Sequence, residues 1–238
     1  MRRELAIAEL GLVEYERTHA LQQALVAARS RDQIGDVLLL LEHTPVYTLG
    51  RGADEKFILT APSKVPIFRV SRGGQVTYHG PGQTVAYPIL KLEGTDRDVN
   101  RYLRNLEGVM IAALAHYGIA AERRDKLTGV WVGQRKIASI GIGIRRWVTY
   151  HGLALNVNPD LSYFHAIVPC GITGCEMTSL AGLGFTDVRT ADFAGDLAES
   201  FREVFGYTSA TRVDTAELWS IVDRPEPATQ AESTNEAR

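Results

Sequence analysis

Two side chains with nucleophilic or basic character stand among chemically unusual neighbours. Cys170 lies in HAIVPCGITG, between a proline and a glycine, where the backbone is neither helix nor continuous strand. A thiol in such a loop can serve as a nucleophile, yet free cysteine is also among the most buried residue types and packs as a small hydrophobe. To act, it needs a partner that stabilises its thiolate: a histidine, a lysine or a helix N-terminus. Cys175, in GCEMTSL, competes for the role. Lys136 interrupts RKIASIGIGI, which otherwise alternates small and apolar residues, so its ammonium points either to solvent or over a pocket. His79, His151 and His165 are further partners, each equally at home as a hydrogen-bonded histidine at a strand end. Spacing alone does not choose among them.

A second unusual stretch is RGGQVTYHGPGQ, residues 72–83, where four glycines and Pro81 are interleaved with Arg72, Thr77, Tyr78, His79 and two glutamines. Glycine permits positive φ and close approach at a cost in entropy. A pair of hairpin turns would use such residues; so would backbone cleared for a ligand to lie against, with Arg72, Tyr78 and His79 as its polar edge.

The elements that must position these groups are legible in outline. With 238 residues, 45% hydrophobic and 23% charged, the chain can bury one sizeable core, and a formal charge of -2 argues against nucleic acid as a partner. No stretch reaches the ~20 apolar residues of a membrane helix, and the start lacks a secretory apolar run, so a cytoplasmic protein with no membrane partner is expected. Two cysteines are too few for a disulfide framework and lack zinc-site spacing, so free thiols are expected. No metal and no other cofactor is expected. No GxxxxGK[ST] motif occurs.

LAIAEL reads as a first strand, 13–28 as a helix, and VLLLLEH, ended by Thr44-Pro45, as a buried strand. PIFRVS and QTVAYPIL are strand-like segments flanking the glycine stretch. Apolar residues recur at helical spacing over 99–117 before Gly118. TGVWV, RKIASIGIGI and WVTYHGLALNV follow as strands, with residues 132–135 placed as a tight turn, and 191–205 forms another amphipathic helix. Hairpin strands mixed with a few long helices predict an α+β fold of antiparallel and mixed sheets with flanking helices, covered on one side. A single domain over 1–222 is expected, with 223–238, DRPEPATQAESTNEAR, as a disordered tail.

RGGQVTYHGPGQ, GVWVGQRKIASIG, YHGLALNV and FHAIVPCGI, in that order, resemble the lipoyl(octanoyl) transferases, the enzymes that start protein lipoylation, over roughly residues 37–180. The resemblance implies a fold similar to the catalytic domains of biotin and lipoate protein ligases. It implies an octanoyl-acyl carrier protein as donor, and as acceptor a lysine of the lipoyl domains of 2-oxoacid dehydrogenases or of the glycine-cleavage H protein. By position it makes Cys170 the acyl-thioester nucleophile and Lys136 the lysine that activates it, with Cys175 a bystander. The substrate-lining residues it implies are Arg72, Gly73, Gly74, Gln75, Val76, Thr77, Tyr78 and His79, then Ser139, Ile140 and Gly141, and Gly152, Leu153 and Ala154. Backbone near Gly141 and at Gly171 is expected to supply oxyanion donors. The alternatives are an ATP-dependent lipoate or biotin ligase, a non-catalytic acyl- or carrier-binding module, and a hydrolase built on Cys170 and His79. Only the transferase reading uses Cys170 and Lys136 together.

Overall fold

The computed structural model describes residues 3–60 and 64–222; the expected tail, 223–238, lies outside the described residues. Chain order runs β1 (Glu4–Val13), α1 (Tyr15–Ser30), β2 (Asp36–His43), β3 (Val46–Leu49), β4 (Ile67–Arg69), β5 (Val76–His79) and β6 (Gln83–Ile89). It continues through α2 (Val99–Ala115), β7 (Glu122–Arg124), β8 (Leu127–Val132), β9 (Arg135–Arg145), β10 (Val148–Asn156), α3 (Thr190–Val204), β11 (Ser209–Arg212) and α4 (Thr215–Val222).

Eight strands form one mixed sheet in the order β11-β1-β2-β6-β10-β9-β8-β7, and β4-β3-β5 form a second, small one. The hairpins expected from the turn residues are present: β8, β9 and β10 run antiparallel, and Val132 pairs with Arg135 across the two-residue turn. β1 pairs in parallel with both β2 and β11, which makes the sheet mixed.

The sheet is covered on both faces, not one. The unbroken VLLLL run of β2 is the reason, because successive strand residues point to opposite faces. Leu38 and Leu40 pack with Leu106, Met110 and Phe201 of α2 and α3, whereas Val37, Leu39 and Leu41 pack with Leu21 and Leu25 of α1 and Leu218 of α4. α2 starts where Asp98 caps it, its carboxylate accepting from the Arg101 N–H at 3.0 Å, and a left-handed Gly118 (φ +70°) follows its end.

The small sheet carries its own apolar cluster of Tyr47, Leu49, Val76, Tyr78, Phe164 and Ile167. It was hidden behind Thr44-Pro45, where a new strand begins at once instead of a loop. The chain that links β4 to β5 packs against β9 and bounds a cleft over β9 and β10: Gly73 N–H donates to the Ile142 carbonyl of β9 at 2.8 Å.

Candidate active site

Lys136 opens β9, next to the tight turn that reverses the chain out of β8. Its backbone is bonded on the far side too: Lys136 N–H donates to Glu176 O and its carbonyl accepts from Thr178 N–H, both at 2.8 Å. Those two bonds lay the segment after Cys170 along the strand that carries the lysine. Cys170 itself sits in a turn over Pro169–Gly171, with Gly171 N–H bonded to Val168 O and Ile172 N–H to Pro169 O, each 3.0 Å. It takes a left-handed conformation, φ 56° and ψ 15°, which is strained for a side chain with Cβ and is typical of functional positions.

The result is a close pair. Lys136 Nζ lies 3.2 Å from Cys170 Sγ, donates to the Thr128 carbonyl at 3.0 Å, and stands 4.9 Å from the centre of the Trp131 ring. Ser139 Oγ is 3.7 Å from the same sulfur. The lysine is 0% exposed, so of its two readings the solvent-facing one is excluded. A buried ammonium is costly unless compensated, and of the groups touching Nζ the sulfur is the one able to carry negative charge. Gly129 makes room for it: a Cβ there would fall 2.8 Å from Lys136 Cε and 2.5 Å from Ala138 O. The Gly129 N–H is held by Glu107 Oε1 of α2 at 3.2 Å, and that buried carboxylate is paired with Arg104 and Arg123 at 2.8 and 3.2 Å. The chain thus braces its lysine through residues that sequence reasoning did not single out.

Cys170 faces a cavity of about 320 Å³. Most of the expected lining is there: Arg72, Gly73, Gly74, Gln75, Thr77 and His79 on one wall, and Ser139, Ile140, Gly141, Gly152, Leu153 and Ala154 on the sheet. Val76 and Tyr78 are not. They alternate to the opposite face of β5, where Tyr78 stacks on Tyr163 with ring centroids 4.6 Å apart. Gly80 and Gly82 also serve packing, since a Cβ would fall 2.0 Å from the Tyr78 hydroxyl and 2.6 Å from the Asn158 carbonyl carbon, respectively.

Arg72 is no exposed edge. Its guanidinium is buried and donates to Thr48 O at 2.7 Å, Thr48 Oγ1 at 2.8 Å and Gly73 O at 2.9 Å. His79 is likewise buried, with Nδ1 3.2 Å from Gln83 Oε1, and Cys170 has Lys136 and Ser139 as its polar side-chain neighbours among the described residues. That disfavours a Cys-His pair. The N–H of Gly171 is engaged by Val168 and is unavailable to an oxyanion, while Ser139 stands beside the sulfur. Burial pushes the Cys175 thiol up, opposed by the Lys136 charge, and its N–H is tied to Ile172 O at 3.1 Å.

Tyr15 and Tyr87, which line the cavity, and Lys126 at its exposed rim are absent from the sequence expectations, and His151, expected there only as one possible partner of a thiol, lines the cavity as well. A histidine inside an apolar strand was the available signal for His151; Tyr15, at a helix start, gave none.

A profile of the lipoyl protein ligase A/B catalytic domain matches residues 14–202. The chain belongs to this family. Among its relatives, an octanoyltransferase of Gloeobacter violaceus is 55% identical over 203 residues, covering 83% of this chain and 89% of that protein. An octanoyltransferase of a Synechococcus strain is 51% identical over 212 residues, covering 82% and 80%. Among solved structures, the bipartite lipoate protein ligase of Thermoplasma acidophilum superposes with a TM-score of 0.71 at 17% identity, covering 93% of this chain and 91% of that one. Lipoate-protein ligase A bound with ATP gives 0.68 at 17%, covering 94% and 93%. The shared architecture is the α+β fold with mixed sheets expected from the sequence.

Two outcomes follow from this geometry. Gly129→Ala will push Lys136 from the sulfur, and alkylation of Cys170 by iodoacetamide at neutral pH will slow by at least about tenfold, the thiolate having lost its cation. Separately, burial lowers His43 to about 4 and His151 to about 3. The unfolded chain takes up those protons near pH ~6.5 and the folded one does not, so stability is full above that pH and falls as pH drops through the window toward 4 and 3. Urea midpoints measured from pH 7 to 4 will decline, and His43→Gln will flatten part of the slope.

Proposed function

We propose that this chain is an octanoyltransferase acting through a Cys170 thioester: it takes an octanoyl or lipoyl group from acyl carrier protein and passes it to a lysine of lipoyl domains or the glycine-cleavage H protein. The observation that carries the reading is Lys136 Nζ at 3.2 Å from Cys170 Sγ, with Cys170 in the wall of a cavity. Kinship with octanoyltransferases at 55% and 51% identity supports the acyl group.

In the first half-reaction the Cys170 thiolate attacks the donor's thioester carbonyl, the new S–C bond forms, and the carrier thiolate leaves with the proton of Lys136. One thioester is exchanged for another, so no ATP is needed. In the second, the acceptor amine attacks the Cys170 thioester, Lys136 takes its proton, an amide forms, and the Cys170 thiolate is regenerated beside the ammonium. Ser139 is the side chain placed to meet the oxyanion, and the apolar and glycine surface of β9 and β10 takes the chain. Residues 1–222 act as one catalytic domain in this reading, because both sheets and α1 contribute walls to the cavity.

An ATP-dependent ligase needs a lysine but no thiol, and a binding module needs neither, so both leave the buried pair unexplained. The test is intact mass after mixing with octanoyl-acyl carrier protein without ATP. An octanoyl adduct on Cys170 is expected, lost in Cys170→Ala and retained in Cys175→Ala. An adduct that requires ATP, or that maps to Cys175, overturns the proposal.

A further inference from the structure

The inner end of the cavity is polar, which is unexpected where a hydrocarbon tail should stop. Tyr15 and His151 line it, at 4% and 2% exposure, and neither Tyr15 Oη nor His151 Nε2 has a hydrogen-bond partner among the described residues. Behind them, His19 Nε2 and the Nε2 of fully buried Gln22 are unpartnered as well. These are one cluster: ring centroids of Tyr15 and His19 are 6.0 Å apart, those of His19 and His151 5.7 Å, and those of His151 and Tyr87 6.2 Å. Tyr87, by contrast, is satisfied, 2.8 Å from His43 Nε2. Buried polar atoms are nearly always paired, so two orphans lining one cavity, with two more behind them, mark a place where something else supplies the hydrogen bonds.

Position in the sheet makes this the far end. Ser139, beside the sulfur, pairs with Ala154; Gly141 pairs with Gly152; and His151 pairs with Ile142, so His151 stands three positions along β10 from the residue opposite Ser139, and it is buried where Gly73, Gly74 and Lys126 are exposed. His151 reaches inward because its backbone is left-handed, φ 53°, in the middle of a strand, a strained conformation that also puts Gly152 in the wall. Gln22 Oε1 holds that conformation by accepting from the His151 N–H at 2.7 Å.

We propose that Tyr15 and His151 form a polar end wall that sets the length of the acyl chain and accepts a hydrogen-bonding group at its terminus. The inference rests on the octanoyl-transfer reading given above. A saturated chain long enough to reach these atoms covers them with methyl or methylene, leaving buried donors and acceptors unpaired, and that penalty exceeds what each added methylene gains from leaving water. Shorter chains simply lose apolar burial. Selection for a medium chain therefore arises from chemistry at the wall, and a chain ending in a hydroxyl escapes the penalty.

The test uses single-turnover acylation of Cys170 by pantetheine thioesters of hexanoyl, octanoyl, nonanoyl, decanoyl and ω-hydroxyoctanoyl groups, read by intact mass. Nonanoyl and ω-hydroxyoctanoyl are near isosteres, so they compare polarity at constant length without altering the protein. Wild type will favour ω-hydroxyoctanoyl over nonanoyl by about tenfold and octanoyl over decanoyl by a similar factor. Tyr15→Phe, which removes a hydroxyl that bonds nothing among the described residues, will shrink both ratios by at least about threefold. Equal wild-type rates for the two isosteres, or ratios unmoved in Tyr15→Phe, overturn the end wall while leaving octanoyl transfer intact. Absence of any octanoyl adduct on wild-type Cys170 instead overturns the transfer reading, and the end wall falls with it.

Discussion

A lysine side chain buried with its Nζ 3.2 Å from a sulfur is the constraint around which this structure is arranged. Removing an unpaired ammonium from water costs several kcal/mol even after relaxation, so the site is stable only if the compensating group is held in place. The holding is distributed. The strand that bears Lys136 is paired on one side with β8 and bonded on the other to the Glu176 carbonyl and Thr178 N–H, which fixes the loop carrying Cys170. Thr128 gives the ammonium a second acceptor, and Gly129 yields the volume its side chain occupies. Glu107, neutralised by Arg104 and Arg123, ties that glycine to α2. Backbone strain at Cys170 is the counterpart: the turn aims the thiol at the lysine at a conformational cost of order 1 kcal/mol.

The cavity follows from the same arrangement. Its glycines do different jobs from one another. At Gly141 and Gly152 a Cβ would fall 2.7 Å from Arg72 Cδ and 2.2 Å from Ala86 O, so those glycines let the buried arginine and the neighbouring strand approach. Gly73 and Gly74 are the open ones, with nothing closer than 3.5 Å to a Cβ at either, and they form the accessible rim. Arg72 joins the small sheet to this wall by binding Thr48 and the Gly73 carbonyl, so the second sheet is a structural part of the site and not an appendage.

Much of this was legible in the chain and some was not, for identifiable reasons. α2, α3 and the β8–β9–β10 hairpins are written in local periodicity and turn chemistry, which do not depend on distant residues. The four motif segments contain Cys170, Lys136 and most of the residues that line the cavity. Burial of Lys136 was not legible, because strand alternation says which face a residue occupies but not that a loop more than thirty residues later, 176–178, will close over it. The two-sided cover of β2 was written in its unbroken apolar run, yet the helices that cover the second face are α1 and the short α4, and α4 follows the last strand, where local signals are weakest. Val76 and Tyr78 share a motif with the lining residues, but alternation along β5 sends every second residue to the opposite face. The orphaned atoms of Tyr15 and His151 come from opposite parts of the chain and meet only in the folded state.

The central claim is that one lysine serves both as the cation that holds the thiolate and as the group that accepts the acceptor's proton. Lys136→Arg separates the two, since arginine keeps the charge but is not deprotonated in proteins. Single-turnover rates for acylation of Cys170 and for transfer from the isolated acyl-enzyme measure the halves independently. The account predicts acylation that remains detectable and transfer that falls further, by roughly 10² to 10⁴, the usual worth of a positioned base. Equal losses in the two halves would contradict it.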